Sequence, residues 1–382
     1  MHDVAIIGAG PGGSATAHFL AQRGLDVLLL DRSQFPRDKT CGDGLTPRAL
    51  RVLDAMGILR EVASKGRPID SYEVVAPNGK RTTSRTDALV VPRLTLDQII
   101  LERAVASGAQ FRAGVTVDAI EPMAHGVNVK TRGVSVTARL AVIATGAATG
   151  VLTRSGILRR PPRAMLAARA YFEGVSARKS FQLRFGGVPQ PGYGWVFPVS
   201  SNAANIGVGF WPKRRQQTAR AAFQRFVADL PYRQTSEMRG YPIRVDFLRA
   251  RTFAPRTLLV GEAAGLVNPL TGEGIDYALE SGQIAAELLP QEPFDPLRYH
   301  AVLHERFGKI FHFSEYVRDW YCKPVLLDRL VPLANRRPEL RQLLTSIVLG
   351  EREPAGFGPL SMLARLLVYL VKTRPRTLGN TA

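Results

Sequence analysis

The chain runs to 382 residues, too long for one small core, so one large or two interleaved domains are expected. Its 45% hydrophobic and 22% charged residues exclude disorder, collagen and an all-coiled-coil chain, and its two cysteines, Cys41 and Cys322, exclude a disulfide-dense secreted scaffold. Lys and Arg number 51 against 32 Asp and Glu; the charge of +19 points to an anionic partner such as nucleic acid, an acidic membrane surface or a phosphorylated ligand.

The first residues lead straight into apolar sequence, without the charged segment, apolar run and cleavage site of a secretory signal, so none is expected. Residues 4–7 read as a buried strand followed by a glycine-rich turn, 14–22 as a helix and 27–30 as a second buried strand. A helix over 46–55 has Pro47 suited to its first turn. Strands at 71–76 and 80–91 flank Asn78-Gly79, a hairpin turn. Residues 95–107 have helical periodicity and stop at Gly108. Short strands are expected at 115–121, 127–131 and 134–137, then a buried strand at 140–144 running into Thr145-Gly146.

From about 163 to 250 the sequence turns aromatic and β-branched, with strands at 166–172, 180–185, 193–199 and 204–210 and a helix at 218–230. A buried strand returns at 257–260, before a second glycine-punctuated turn and a helix over 275–289. Beyond the proline-containing stretch 290–296 the chain is helical, basic and leucine-rich. No uninterrupted apolar stretch reaches the roughly 18–20 residues of a bilayer span. Residues 360–371 are broken by Arg365 and closed by Lys372, which suits a core helix or an interfacial one. The order suggests a nucleotide-binding domain from 1–70, 93–162 and 250–290, a β-rich substrate domain from 71–92 and 163–249, and a helical region over 291–382.

Residues 8–13, Gly-Ala-Gly-Pro-Gly-Gly, fit G-x-G-x-x-G between a predicted strand and a predicted helix, the context that dinucleotide binding requires. Gly8 permits the tight turn, Gly10 lets a pyrophosphate approach the backbone, and Gly13 allows close packing of helix on strand. Pro11 and Gly12 complete the turn, and the helix start offers free N–H groups and a positive dipole end to phosphates. Asp31 ends the second strand 18 positions after Gly13, where a carboxylate binds ribose hydroxyls, and Arg32 follows it.

Two later segments select the dinucleotide. Gly261-Glu262-Ala263-Ala264-Gly265 and Pro269-Leu270-Thr271-Gly272-Glu273-Gly274 lie between a buried strand and a long helix. They resemble the segments with which FAD enzymes bring an acidic residue to the ribityl–pyrophosphate region and a helix N-terminus to the flavin ring. FAD is therefore the expected cofactor, held by Gly261, Glu262, Gly272, Gly274 and Ile275 together with Thr145 and Gly146. Arg93 resembles the arginine that such enzymes place near it. These families usually carry Asp where Glu262 stands and often Glu where Asp31 stands, swaps that keep the charge and change the reach.

Residues 35–45, Phe-Pro-Arg-Asp-Lys-Thr-Cys-Gly-Asp-Gly-Leu, closely resemble the P-x-x-K-x-C-G-x-G-x loop of the geranylgeranyl reductase family. Residues 191–198, Pro-Gly-Tyr-Gly-Trp-Val-Phe-Pro, continued by Asn-Ile-Gly-Val-Gly at 205–209, resemble that family's Y-x-W-x-F-P…N-x-G-x-G signature. With the two FAD segments, four motifs stand in the right order over about residues 1–290. The resemblance implies an α/β fold with an α+β insertion, similar to p-hydroxybenzoate hydroxylase. It would comprise a Rossmann-like FAD-binding domain, an antiparallel sheet roofing the flavin and a helical C-terminal region. It also places Lys39, Cys41, Gly42, Asp43 and Gly44 at the cofactor.

The implied reaction saturates an isoprenoid C=C bond of a prenyl lipid, prenyl diphosphate or prenylquinone with hydride from the reduced flavin. Electrons would come from NAD(P)H bound transiently or from a ferredoxin acting as redox partner. Tyr193, Trp195 and Phe197 alternate and so share one face of a strand, either lining a slot for the polyene or forming the core of the sheet. Cys41 is a cavity-wall thiol or an inert loop cysteine, and Cys41, Tyr193 and an ordered water are the candidate proton donors. No C-x-x-C is present.

The six histidines form no metal-ligand grouping, and His300 and His304 read as a solvated helix face, so no metal is expected. Arg336, Arg337, Arg341, Arg352, Arg365, Lys372, Arg374 and Arg376 stand among leucines, a pattern that can lie on an anionic leaflet or cap the FAD domain. The expected location is the bacterial cytoplasm, peripheral to the inner face of the cytoplasmic membrane. Nucleic acid is not an expected partner, because no recognition motif accompanies the spread-out arginines. Two competing readings are a flavin monooxygenase or halogenase on the same fold, and a non-catalytic, FAD-stabilised membrane or partner-binding protein. A halogenase normally carries W-x-W-x-I-P, which is absent here.

Overall fold

Val4, Ala5 and Ile6 are fully buried, as a run of consecutive apolar residues must be when both faces of a parallel sheet are covered. In the computed structural model, which describes residues 1–338 and 341 apart from 176–178, 215 and 321, they sit at the centre of the first sheet. Strand His2–Ile7 pairs in parallel with Val27–Leu30 on one side and Val136–Ile143 on the other. Gln110–Arg112 and Thr257–Leu259 extend the parallel order outwards, and Val117–Met123 and Gly126–Thr131 continue it antiparallel from Val136–Ile143. The separate strands expected at 134–137 and 140–144 are one strand, because its outward Thr137 and Arg139 alternate with buried Ala138 and Leu140.

Helix Pro11–Ala21 packs against both Arg93–Ala106 and Ile275–Leu288. Gly12 and Gly282 let the first and last of these touch backbone to backbone; a Cβ on Gly282 would stand 2.7 Å from the Gly12 carbonyl oxygen. Helix Pro296–Trp320 closes this core with Tyr299, Leu303, Phe307 and Phe311.

The second sheet runs in the order Arg233–Gln234, Ala164–Glu173, Ala203–Phe210, Gly192–Pro198, Ser180–Arg184, Arg67–Val75, Arg81–Val90, Gly44–Leu45. It is antiparallel except at the junction of Ser180–Arg184 with Arg67–Val75, which is parallel. Asn78-Gly79 is the expected hairpin turn, with Gly79 at φ 81° and the Ala76 N–H donating to the Lys80 carbonyl at 2.8 Å. Helix Ala219–Val227, whose N-cap Thr218 accepts from the Ala221 N–H, buries Phe223 and Phe226 on one face of the sheet. The other face turns towards the first sheet.

Strand Arg239–Arg244, helix Leu59–Lys65 and strand Gln110–Arg112 were not expected. The first contains Gly240 and Pro242, which argue against a strand, and is tolerated because it pairs only with Ala164–Glu173. The other two are short and mostly polar. His300 and His304 are a correction. They are half-buried rather than a solvated face, with His304 stacked on Phe247 at 4.6 Å and His300 sharing a hydrogen bond with the Thr252 hydroxyl at 2.9 Å. Among the described residues no metal-ligand cluster occurs, and no helix is long and apolar enough to cross a membrane.

Helix Pro324–Arg336 lies on the hairpin, where Asn335 donates to the Arg81 carbonyl at 2.6 Å. Arg336, Arg337 and Arg341 are within the described residues; Arg352, Arg365, Lys372, Arg374, Arg376 and the apolar run 360–371 lie outside them.

Candidate functional site

The two sheets meet over a cavity of about 750 Å³. Its wall takes Gly8, Gly10, Pro11, Gly12, Asp31 and Arg32 from the first turn and second strand. Lys39, Cys41, Gly42, Gly44 and Arg93 come from the loop and helix that follow, and Thr145 and Gly146 from the end of Val136–Ile143. Gly261, Glu262, Gly272, Gly274 and Ile275 close one side, and Tyr193 and Trp195 descend from the second sheet. Of the residues singled out from the sequence, Gly13 and Asp43 stand behind the wall rather than in it.

Gly8 adopts φ 104°, a backbone that side chains other than hydrogen resist. A Cβ on Gly13 would overlap the Gly8 carbonyl oxygen, so Gly13 serves the turn and not a ligand. Gly10 differs from both. A Cβ there would meet only the Arg37 Nη2, at 3.4 Å, so this glycine faces open space at the start of helix Pro11–Ala21. Among the described residues no side chain caps that helix, which leaves its N-terminus to an anion. At the end of Val27–Leu30 the Asp31 carboxylate is fixed by the N–H groups of Ala9 and Ser33, both at 2.8 Å. An open helix start, an arginine and a fixed carboxylate fit the pyrophosphate and ribose of FAD.

The loop after the second strand is held at the cavity by its charges. Arg37 pairs with Asp97 at 3.1 Å, and Arg93 makes a bidentate contact with the same carboxylate, both distances 2.6 Å. One buried carboxylate thus faces two guanidiniums, leaving excess positive charge beside Gly10. Arg37 is a site residue that motif reading missed; its signal was a second cation in the loop, two positions before Lys39. Lys39 pairs with Glu262 at 3.3 Å and lies 4.2 Å over the Tyr241 ring. Glu262 also accepts the Arg244 backbone N–H at 3.0 Å, a reach to the second sheet that suits the longer acid at this position. Asp276, at the start of Ile275–Leu288, lines the cavity, and burial pushes its carboxyl up to about 6 against the pull of Arg48.

The roof of the cavity is aromatic. Tyr193, Trp195 and Phe197 line it, with 6.2 Å between successive ring centroids, and Phe181 packs on Phe197 at 4.5 Å. Trp195 and Phe181 are at the same time part of the buried core of the sheet, so this strand both lines the cavity and packs the core. Gly207, directly opposite Trp195, leaves room for the indole to lie flat on the neighbouring strand; a Cβ there would overlap the ring. The Trp195 indole N–H donates to Asn205 Oδ1 at 2.9 Å, and Asn205 Nδ2 donates to the Cys41 carbonyl at 2.7 Å. The Y-x-W-x-F-P…N-x-G-x-G strands are therefore bound directly to the Cys41 loop.

Cys41 is half-buried at the cavity wall. The Tyr193 hydroxyl donates to the Thr271 carbonyl, and burial, with Glu273 nearby, raises it well above the ordinary phenol range. To serve as proton donor it must first leave that carbonyl. Asp43 has a left-handed backbone, φ 65°, and its carboxylate meets Tyr171 and Asn205 of the second sheet, which is why it does not reach the cavity.

Residues 1–289 match the FAD binding domain family. Over 375 residues the chain is 35% identical to the menaquinone reductase of Mycolicibacterium smegmatis, covering 91% of each chain. It is 30% identical over 313 residues to digeranylgeranylglycerophospholipid reductase 1 of Methanopyrus kandleri, covering 75% of this chain and 80% of the relative. The structure of a geranylgeranyl bacteriochlorophyll reductase-like protein from Thermoplasma acidophilum superposes with a TM-score of 0.77 at 21% identity, covering 91% of this chain and 99% of the other. A flavin-dependent brominase shares the fold as well, with a TM-score of 0.74 at 18% identity over 98% of this chain and all of that one. The chain belongs to the FAD-binding-domain family, as an FAD-dependent oxidoreductase of its geranylgeranyl reductase branch.

Proposed function

We propose that this oxidoreductase saturates isolated C=C bonds in the isoprenoid chain of a prenyl lipid, prenyl diphosphate or prenylquinone. The observation that carries this reading is one cavity that joins a dinucleotide cradle at Gly10 to an aromatic roof of Tyr193, Trp195 and Phe197. A flat, apolar polyene matches such a roof, whereas a polar substrate would lose its hydration there without compensation. The names of the Mycolicibacterium and Methanopyrus relatives support a quinone or lipid carrier.

When bound, reduced FAD supplies a hydride to one alkene carbon and is itself oxidised, while a proton completes the other carbon. The protein's share is position, dryness and that proton. The aromatic roof orients the chain, the Asn205 ties hold Cys41 at the wall, and Cys41, Tyr193 or an ordered water delivers the proton. Electrons enter from NAD(P)H or a ferredoxin. The basic excess brings the protein to the inner, anionic face of the cytoplasmic membrane, where prenyl substrates reside.

The shared fold of the brominase supports a second reading, oxygen-dependent monooxygenation or halogenation. The strand Gly192–Pro198 holds a single tryptophan, where a halogenase normally shows two. Anaerobic incubation of dithionite-reduced holoprotein with menaquinone and with geranylgeranyl diphosphate, followed by mass spectrometry, separates the readings. Dithionite alone reduces the quinone ring; after reoxidation of that ring in air, the expected product gains two hydrogen atoms per reduced chain bond. Products formed only with dioxygen would replace this reading with the second, and no product under either condition would leave a non-catalytic FAD-stabilised protein.

A further inference from the structure

Four charged residues of the loop after strand Val27–Leu30 are tied to different parts of the chain. Arg37 meets Asp97, Asp38 meets Arg169 and Arg239, and Lys39 meets Glu262, all with at least one partly solvated partner. Asp43 is fully buried. Its Oδ2 accepts the Tyr171 hydroxyl at 2.6 Å and Asn205 Nδ2 at 2.7 Å, and its Oδ1 accepts the Arg93 backbone N–H at 3.3 Å. Its own carbonyl accepts the Val91 N–H at 2.9 Å.

Burying a carboxylate costs several kcal/mol, and a left-handed non-glycine residue roughly 1–2 kcal/mol more, so this arrangement must be held by its surroundings. The donor pattern says what holds it. Three donors converge on two oxygens, and a carboxylate accepts all three; an asparagine would turn its own NH₂ against one of them. The charges that balance it belong to Arg93 and Arg169. On the cavity side there is no slack, because a Cβ on Gly42 would stand 3.1 Å from the Phe197 ring.

We propose that Asp43 is a positioning residue: its carboxyl group draws the second sheet and the start of helix Arg93–Ala106 onto one point and so holds Cys41 and Gly42 at the cavity wall. The consequence for FAD rests on the reading that the cofactor occupies this cavity. Replacing the carboxyl group leaves one of these donors unmatched, releases the loop, exposes the Cys41 thiol and loosens FAD. Burial pushes the Asp43 carboxyl up to about 6, against the hydrogen bonds from Tyr171 and Asn205 and the charges of Arg169 and Arg93, so the tied loop holds a proton more readily than a solvated loop would, and acidification through about pH 6 favours the tied state. Asp276 titrates in the same range on another part of the wall, and only the difference between wild type and Asp43→Asn isolates Asp43.

The test is maleimide alkylation of Cys41, resolved from buried Cys322 by mass spectrometry, beside FAD affinity from flavin fluorescence between about pH 5 and about pH 8. Asp43→Asn should alkylate Cys41 about ten-fold faster and bind FAD about ten-fold more weakly, the loss of one charged hydrogen-bond set. Its affinity should also lack the Asp43 contribution to the wild-type pH dependence, a strengthening as the pH falls through about 6. Tyr171→Phe, which removes one donor and keeps the carboxylate, should shift both readings about three-fold. If Asp43→Asn fails to fold, Tyr171→Phe decides. Wild-type thiol rate and FAD affinity in the variants, with only a lower Tm, would overturn the proposal. Thiol rates taken on FAD-free protein read the loop by themselves, so an error about FAD occupancy would show separately as wild-type protein that binds none.

Discussion

The two sheets that enclose the cavity use glycine for opposite reasons. In the parallel sheet and its first helix, glycine lets backbone approach backbone: Gly13 lies against the Gly8 carbonyl, and Gly282 against the Gly12 carbonyl. In the aromatic sheet, glycine makes room for rings, with Trp195 lying on Gly207 and Phe226 on Gly194, on the opposite face. The first kind of contact cannot yield, because main chain on both sides is fixed by hydrogen bonds. The second can yield partly, because a ring can rotate or slide. The Gly10 side is therefore a rigid cradle, and the aromatic side is a surface whose shape depends on side-chain packing.

Three substitutions sharpen that contrast, in order of effect on stability. Gly13→Ala places its Cβ on the Gly8 carbonyl oxygen. It should cost more than about 4 kcal/mol in urea unfolding or prevent folding altogether. A loss below about 1 kcal/mol would show that the turn is not rigid. Gly207→Ala overlaps the Trp195 ring and comes within 2.5 Å of the Ala168 carbonyl oxygen. A cost of about 2–3 kcal/mol is expected, with a changed tryptophan emission as the indole is lifted. Unchanged emission would mean that the indole does not rest on that strand. Gly10→Val meets only the movable Arg37 guanidinium, so stability should change by less than about 1 kcal/mol. FAD affinity should nevertheless fall more than about 100-fold, close to 3 kcal/mol. Gly10→Val protein that purifies fully yellow would falsify the cradle assignment.

The parts of the fold legible in the sequence are those decided locally. Buried runs such as Val27–Leu30 and the periodicity of Arg93–Ala106 announce their elements because burial and helical spacing are properties of a short window. The glycine turns announce themselves because positive φ and close approach exclude other residues. Strand Arg239–Arg244 was hidden by its Gly240 and Pro242, which only an edge pairing accommodates. His300 and His304 were misread because their i, i+4 spacing does not reveal Phe247, which comes from a distant segment. Within the site, the motifs delivered Gly8, Gly10, Gly12 and Cys41 to one cavity. Arg37 escaped, since its relevance lies in standing over Gly10, and Asp43 was read as facing a ligand when it faces the second sheet.

Sequence alone determined which residues must be small, which must be buried in runs, and that a dinucleotide turn and an aromatic strand belong to one chain. Tertiary structure alone decided what each charge does. Asp38 meets Arg169 across 131 positions and Lys39 meets Glu262 across 223, pairings that no local rule selects. The reason is physical: steric limits act within a few residues, whereas a buried charge takes whichever partner the folded chain brings within hydrogen-bonding reach.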